Sequence, residues 1–124
     1  MTDEELARIR KCVDHWHSVY GLYEEITVFE GDVDSPEIQC EAKYMRAVLT
    51  VPRQPPEGFW TQLDECISHE MAHAFMMEIA QWADTMEQYV SSRDREPLND
   101  AWHLAWERTT ERLARLARRL NGGG

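Results

Sequence analysis

Apolar residues recur at spacings of three and four between residues 3 and 20: Leu6, Ile9, Val13, Trp16 and Tyr20. That period lays them along one face of an amphipathic helix, with Thr2 or Asp3 placed to cap its start and Gly21 to close its end. The pattern then changes. Residues 25 to 30, Glu-Ile-Thr-Val-Phe-Glu, read as a short strand closed by the turn signals Gly31-Asp32 and Asp34-Ser35-Pro36. A weaker strand is expected around Ile38 to Ala42 and a stronger one at Arg46-Ala47-Val48-Leu49-Thr50-Val51; Pro52, Pro55, Pro56 and Gly58 then end the sheet. Helical spacing returns from near Phe59 to about Met86 or Tyr89. After a polar connection at 91 to 96, Pro97 suits the first turn of a final helix reaching about Leu120. Leu98, Trp102, Ala105, Trp106, Thr109, Leu113, Leu116 and Leu120 are its expected core stripe, with Arg108, Arg112, Arg115 and Arg119 along one flank. Asn121 and the three glycines after it read as a flexible tail.

These elements predict a small α+β domain: an N-terminal helix, a short sheet of two to three strands, a long middle helix and a C-terminal helix. At 124 residues, one domain spanning 1 to 124 is expected. Apolar content of 43% with five tryptophans points to a folded core rather than a disordered chain. A net charge of −10 argues against nucleic-acid partners, because it gives no general positive field for phosphates. Cys12, Cys40 and Cys66 are an odd, sparse set with no disulfide spacing, so a reducing compartment is expected. No apolar run approaches membrane-spanning length, and the acidic start Met1-Thr2-Asp3-Glu4-Glu5 is unlike a signal peptide. The expectation is a cytoplasmic protein without a membrane partner.

Chemistry enters at His69-Glu70-Met71-Ala72-His73, inside the middle helix. Histidines four residues apart project from the same face and can grip one metal ion. Glu70 lies about 100° further round the axis, where it can reach a water on that metal as a base. Two nitrogen ligands with an adjacent carboxylate make up the zinc-hydrolase pattern. The largely uncharged flanks, Glu65-Cys66-Ile67-Ser68 and Ala74-Phe75-Met76-Met77, suit a dry wall for such a site.

A catalytic zinc needs a third protein ligand. Glu78 is about 140° away from His73 round the helix, and Asp84 is roughly 16 Å further along it, so neither reaches. The final helix offers Asp100, His103, Glu107 and Glu111. With the apolar stripe as its inner face, Asp100 and Glu111 point to solvent, while His103 and Glu107 border the core with Thr110 and Ala114. Glu107 is the favoured ligand, with His103 one turn away as a donor to a developing oxyanion; the reverse assignment stays open.

The stretch Tyr44 to Val51, the run Ile67-Ser68-His69-Glu70-Met71-Ala72-His73 and the later Glu107-Arg108-Thr109-Thr110-Glu111-Arg112-Leu113-Ala114 together resemble the minimal gluzincin-type metallopeptidase domains often encoded by phages and prophages. The resemblance covers nearly the whole chain and implies a zincin-like fold. It also implies one zinc ion held by His69, His73 and Glu107, and hydrolysis of peptide bonds in a peptide or protein substrate with Glu70 as general base. Thr109 and Thr110 depart from the family's apolar residues. The Gly and His that continue the metzincin motif are absent from Ala74 to Gln81, and Cys40 lacks the Gly-containing loop of a peptide deformylase ligand. Strand 46 to 51, if it lies at a sheet edge, could align an extended substrate. Cys66 is expected as a buried small residue, Trp102 and Trp106 as core anchors, and Trp60 and Trp82 as walls around the motif helix. Two other readings remain: an inactive zincin-fold binding module, and an acidic helical interaction protein without metal.

Overall fold

In a computed structural model, residues 1–41 and 45–121 are described, Glu78 by its backbone alone. Ala42, at the end of the expected second strand, and residues 122–124 of the expected tail lie outside the described residues. The chain runs α1 (Asp3–Tyr20), β1 (Glu25–Gly31), β2 (Glu37–Glu41), β3 (Arg46–Pro52), α2 (Leu63–Phe75), α3 (Met77–Glu87) and α4 (Ser92–Leu120). It is a small α+β fold with four helices and a three-stranded mixed sheet among the described residues.

Local chemistry sets the ends of α1. Thr2 and Glu5 form a reciprocal capping box, and Gly21 closes the helix in the left-handed region at φ 61°, donating to carbonyls of the last turn. Ile9, Val13, Trp16 and Tyr20 form its buried face. Two polar contacts tie that face to α2: Trp16 Nε1 donates to Asp64 at 2.8 Å, and Tyr20 Oη donates to the Ser68 carbonyl at 3.2 Å.

The sheet order is β1-β3-β2, with β1 parallel and β2 antiparallel to β3. The strand at 46 to 51 is therefore central rather than an edge. Its Ala47, Leu49 and Val51 are buried, and this most apolar of the three segments takes the position flanked on both sides. The acid-bearing β1 and β2 take the edges. Gly31 is required at its β1 position, because a Cβ there would lie 2.6 Å from Thr50 Cγ2 on the neighbouring strand.

The middle helix is two helices. Met76, at φ −93° and ψ 7°, ends α2 and precedes α3. No proline or glycine marks this break, so hydrophobic spacing alone predicts one continuous helix. α2 is the hub: Leu63, Ile67, Met71 and Ala72 join the core of α1, β3 and α4. Trp60 is partly buried against that core, but Trp82 is exposed and lies outside it.

The last helix begins at Ser92, and Pro97 lies within it rather than in its first turn. Ser91 stands at the N-cap position without a side-chain bond to the helix backbone, and its hydroxyl donates instead to the Asp94 carboxylate at 3.0 Å. The inward face of α4 is also rotated from the expected stripe. Thr110, Ala114 and Ala117 are buried and Trp102, Trp106 and Leu113 half-buried, whereas Leu98, Ala105, Thr109, Leu116 and Leu120 are exposed. Small residues win the contact because they let α4 approach α2 closely. No helix among the described residues is long and apolar enough to cross a membrane.

Candidate metal centre

α2 carries His69, Glu70 and His73, and each offers a ligand atom within 4.8 Å of the others. The imidazoles meet edge to face with centroids 4.9 Å apart. α4 crosses them so that the Glu107 carboxylate spans both rings. One oxygen lies 3.4 Å from His69 Nε2 and the other 3.5 Å from His73 Nε2. Ligand atoms about 2.05 Å from a tetrahedral zinc are separated by about 3.3 Å; these gaps are of that size, though each runs to a different oxygen of the carboxylate.

The outer nitrogens are each held by a partner. His69 Nδ1 lies 2.7 Å from Glu111 Oε2; the carboxylate only accepts, so Nδ1 carries a proton. Thr110 Oγ1 donates to the Trp106 carbonyl at 2.7 Å, which leaves it as acceptor for His73 Nδ1 at 3.3 Å. Both Nε2 atoms therefore face Glu107: a protonated Nε2 donates to the carboxylate, and a deprotonated one offers its lone pair to a cation.

Burial pushes His73 below the ordinary imidazole value, against the pull of Glu107 and with help from the neighbouring His69. That favours the neutral ring a metal requires. Glu111 is itself braced: Arg115 Nε lies 3.1 Å and Arg118 Nη2 3.5 Å from Oε1. Burial raises the Glu111 carboxyl, but the hydrogen bonds from His69 and Arg115 and the nearby charges prevail and hold it below its usual value. Arg118 also donates to Ser68 Oγ at 2.8 Å, which fixes it to α2.

Glu70, beside the histidines, also reaches the edge strand. Its Oε2 accepts the Ile38 N–H of β2 at 3.2 Å. Burial pushes its carboxyl up to about 7, only partly offset by that hydrogen bond and by His69, while Glu107 and Glu37 raise it further. A carboxyl poised near neutrality is suited to taking and returning a proton.

The site opens on two depressions that share Glu70. One of about 380 Å³ on the His69 side includes Gln62, Cys66 and Glu111; one of about 610 Å³ on the His73 side includes Ile38, Trp106 and Glu107. Cys66 is half-buried in the first wall rather than enclosed in the core. His103 lines the second, exposed, with no hydrogen-bond or ion-pair partner among the described residues. Of the two candidate third ligands, Glu107 is the one brought onto the histidines. Trp102 and Trp106 are half-buried and stack on each other at 5.6 Å, and Trp106 stacks on His73 at 5.3 Å. They are walls of the site more than core anchors.

The sequence reading misplaced Glu111 on the solvent side, because it took the large leucines of α4 as the inner face. Its four-residue offset from Glu107 was the available signal, since residues so spaced share a helix face. The part of Thr110 likewise becomes visible only with the correct face. Compared with protein-family models, curated proteins and solved structures, the chain matches none.

Proposed function

We propose that this protein is a zinc-dependent metallopeptidase of gluzincin type, built on a zincin-like domain. The observation that carries the reading is the convergence of both Nε2 atoms and the Glu107 carboxylate, with gaps of 3.4 and 3.5 Å, beside Glu70 on the same turn of helix. His69, His73 and Glu107 would hold the ion. When bound, zinc supplies a Lewis acid that polarises a carbonyl and lowers the pKa of water towards neutrality.

Glu70 removes the proton of the attacking water and hands it to the departing amine. Its raised pKa matches both halves of that task. Glu111 and Thr110 hold the two imidazoles in the tautomer that presents Nε2. His103, on the rim of the larger depression, is placed to donate to the developing oxyanion.

β2, not β3, supplies the edge for an extended peptide. Ile38 gives its N–H to Glu70, so the Ile38–Leu49 pair is not the hydrogen-bonded kind. Alternation then turns the backbone groups of Ile38 and Cys40 away from β3, towards the cleft. A substrate strand can pair there and lie across Glu70.

The test is Glu70→Gln. The variant should retain stoichiometric zinc by elemental analysis and lose peptide hydrolysis by at least about a hundredfold. A variant as active as wild type ends the mechanism. Wild-type protein that binds zinc stoichiometrically but turns over no peptide library favours the inactive binding module. Protein that retains no zinc, with melting unchanged by chelator, favours the metal-free interaction protein.

A further inference from the structure

Beyond the metal centre, the end of α3 and the start of α4 enclose a second, apolar groove of about 390 Å³. Trp82, Met86, Tyr89 and Leu98 line it, and their exposures are 64%, 42%, 80% and 49%. Four large apolar side chains so open to water on one small surface mark a place where something docks. The groove is not separate from the candidate site. Asp84 and Trp102 line both it and the depression on the His73 side, so one surface runs from Glu70 past Trp102 into the groove.

Among the described residues the charges along that surface have one sign. Glu37, Glu70, Asp84 and Glu107 line the inner part, Asp84 and Glu87 the outer, and no described lysine or arginine lines either. Arg95 donates to the carbonyl of Val90, a groove residue, without lining the groove itself. α4 sets the shortest distance. Glu107 and Leu98 are nine residues apart on one helix, about 13 Å along its axis at 1.5 Å per residue and half a turn round it, so the path past Trp102 is at least that long. An extended peptide advances about 3.3 Å per residue, so a residue about four places from the scissile bond arrives at the groove.

We infer that the groove is the distal part of the substrate cleft, and that the substrates are basic peptides carrying a large apolar residue about four positions from the bond cleaved. The apolar residue enters between Trp82, Tyr89 and Leu98; the lysines or arginines between it and the scissile bond face Asp84, Glu37 and Trp102. This specificity rests on the peptidase reading above, and binding can be measured apart from cleavage.

The probes are amidated peptides of about twelve residues with lysines near the centre and one phenylalanine about four positions to either side. Matched peptides carry serine for the phenylalanine, or glutamate for the lysines. Affinity is measured by fluorescence anisotropy on zinc-loaded Glu70→Gln protein, and kcat/KM by chromatography on wild type. Trp82→Ser combined with Tyr89→Ser removes exposed side chains outside the core, and folding is checked by circular dichroism. Replacing the phenylalanine should weaken binding about tenfold on the unaltered groove and leave it unchanged on the groove variant. Glutamate for lysine should weaken binding on both. Equal affinity with and without the phenylalanine, equal losses on both proteins, or no binding of any probe overturns the proposal. Phenylalanine-dependent binding with no cleavage upholds the groove and removes the peptidase. Cleavage indifferent to the phenylalanine does the reverse.

Discussion

Glu70→Gln should make the metal-free protein more stable, and by an amount that depends on pH. The carboxyl is half-buried, and its pKa rises from 4.5 to about 7 on folding. Between those values the folded protein holds a proton that the unfolded chain has released, so stability falls as pH rises through this window. At about 1.4 kcal/mol per pH unit, the ionised Glu70 costs the fold about 3 kcal/mol at pH 7 and about 1.4 kcal/mol at pH 5.5, and almost nothing near pH 4. Glutamine preserves the acceptor for the Ile38 N–H and removes the charge. The assay is urea denaturation in chelator, wild type against variant, from about pH 5 to pH 8. Their difference cancels every titration not coupled to Glu70; His69 and Glu107 are the coupled groups nearest the site. The variant's advantage should grow across the range towards a plateau near 3 kcal/mol, then shrink when zinc is added, since a nearby cation stabilises the carboxylate. A difference flat with pH would refute the argument that burial controls this carboxyl.

Glu111→Gln should weaken zinc binding by about 10- to 100-fold, because it loosens the orientation of His69; competition with a chromophoric chelator reads this, and an unchanged affinity would remove Glu111 from the site. In the same titration His73→Ala and Glu107→Ala should lose the metal and His103→Ala should keep it. Burial pushes the Cys12 thiol up to about 12 and the Cys40 thiol up to about 11, so at pH 8 both should react far more slowly with a disulfide reagent in the folded protein than in urea. Leu49→Ala, at a fully buried position of the central strand, should cost about 2–5 kcal/mol in urea denaturation, and a smaller loss would mean that the core there collapses around the gap.

Much of the fold was legible because its signals are local. The capping box at Thr2, the glycine at position 21 and the period of Ile9, Val13, Trp16 and Tyr20 all lie within α1, and structure and pattern agree. The strands were equally local; their order was not. Nothing in a run of six residues says whether its neighbours are one or two, and β3 became central through pairings with both β1 and β2. The break at Met76 had no signal, because every residue around it is compatible with helix. α4 misled for a different reason. Hydropathy ranks Leu116 and Leu120 above Thr110 and Ala114, but the close crossing with α2 selects by size, so the small residues face inward.

The same misreading decides what could be known of the site. His69, Glu70 and His73 are one turn of helix and needed no tertiary information. Glu107 and Glu111 belong to a face chosen by packing, and the reading that turned one of them towards the histidines left the other in solvent. α2 is held on one side by Trp16 and Tyr20 through Asp64 and the Ser68 carbonyl, and on the other by Arg118 on Ser68. Between these anchors lie two imidazoles ringed by the carboxylates of Glu70, Glu107 and Glu111, and the ionisation of Glu70 opposes folding. A loose helix would turn to relieve that cost, releasing His69 from Glu111 and Glu70 from Ile38. The braces oppose that rotation, and so the Glu70 carboxyl keeps its place beside the imidazoles in the folded state.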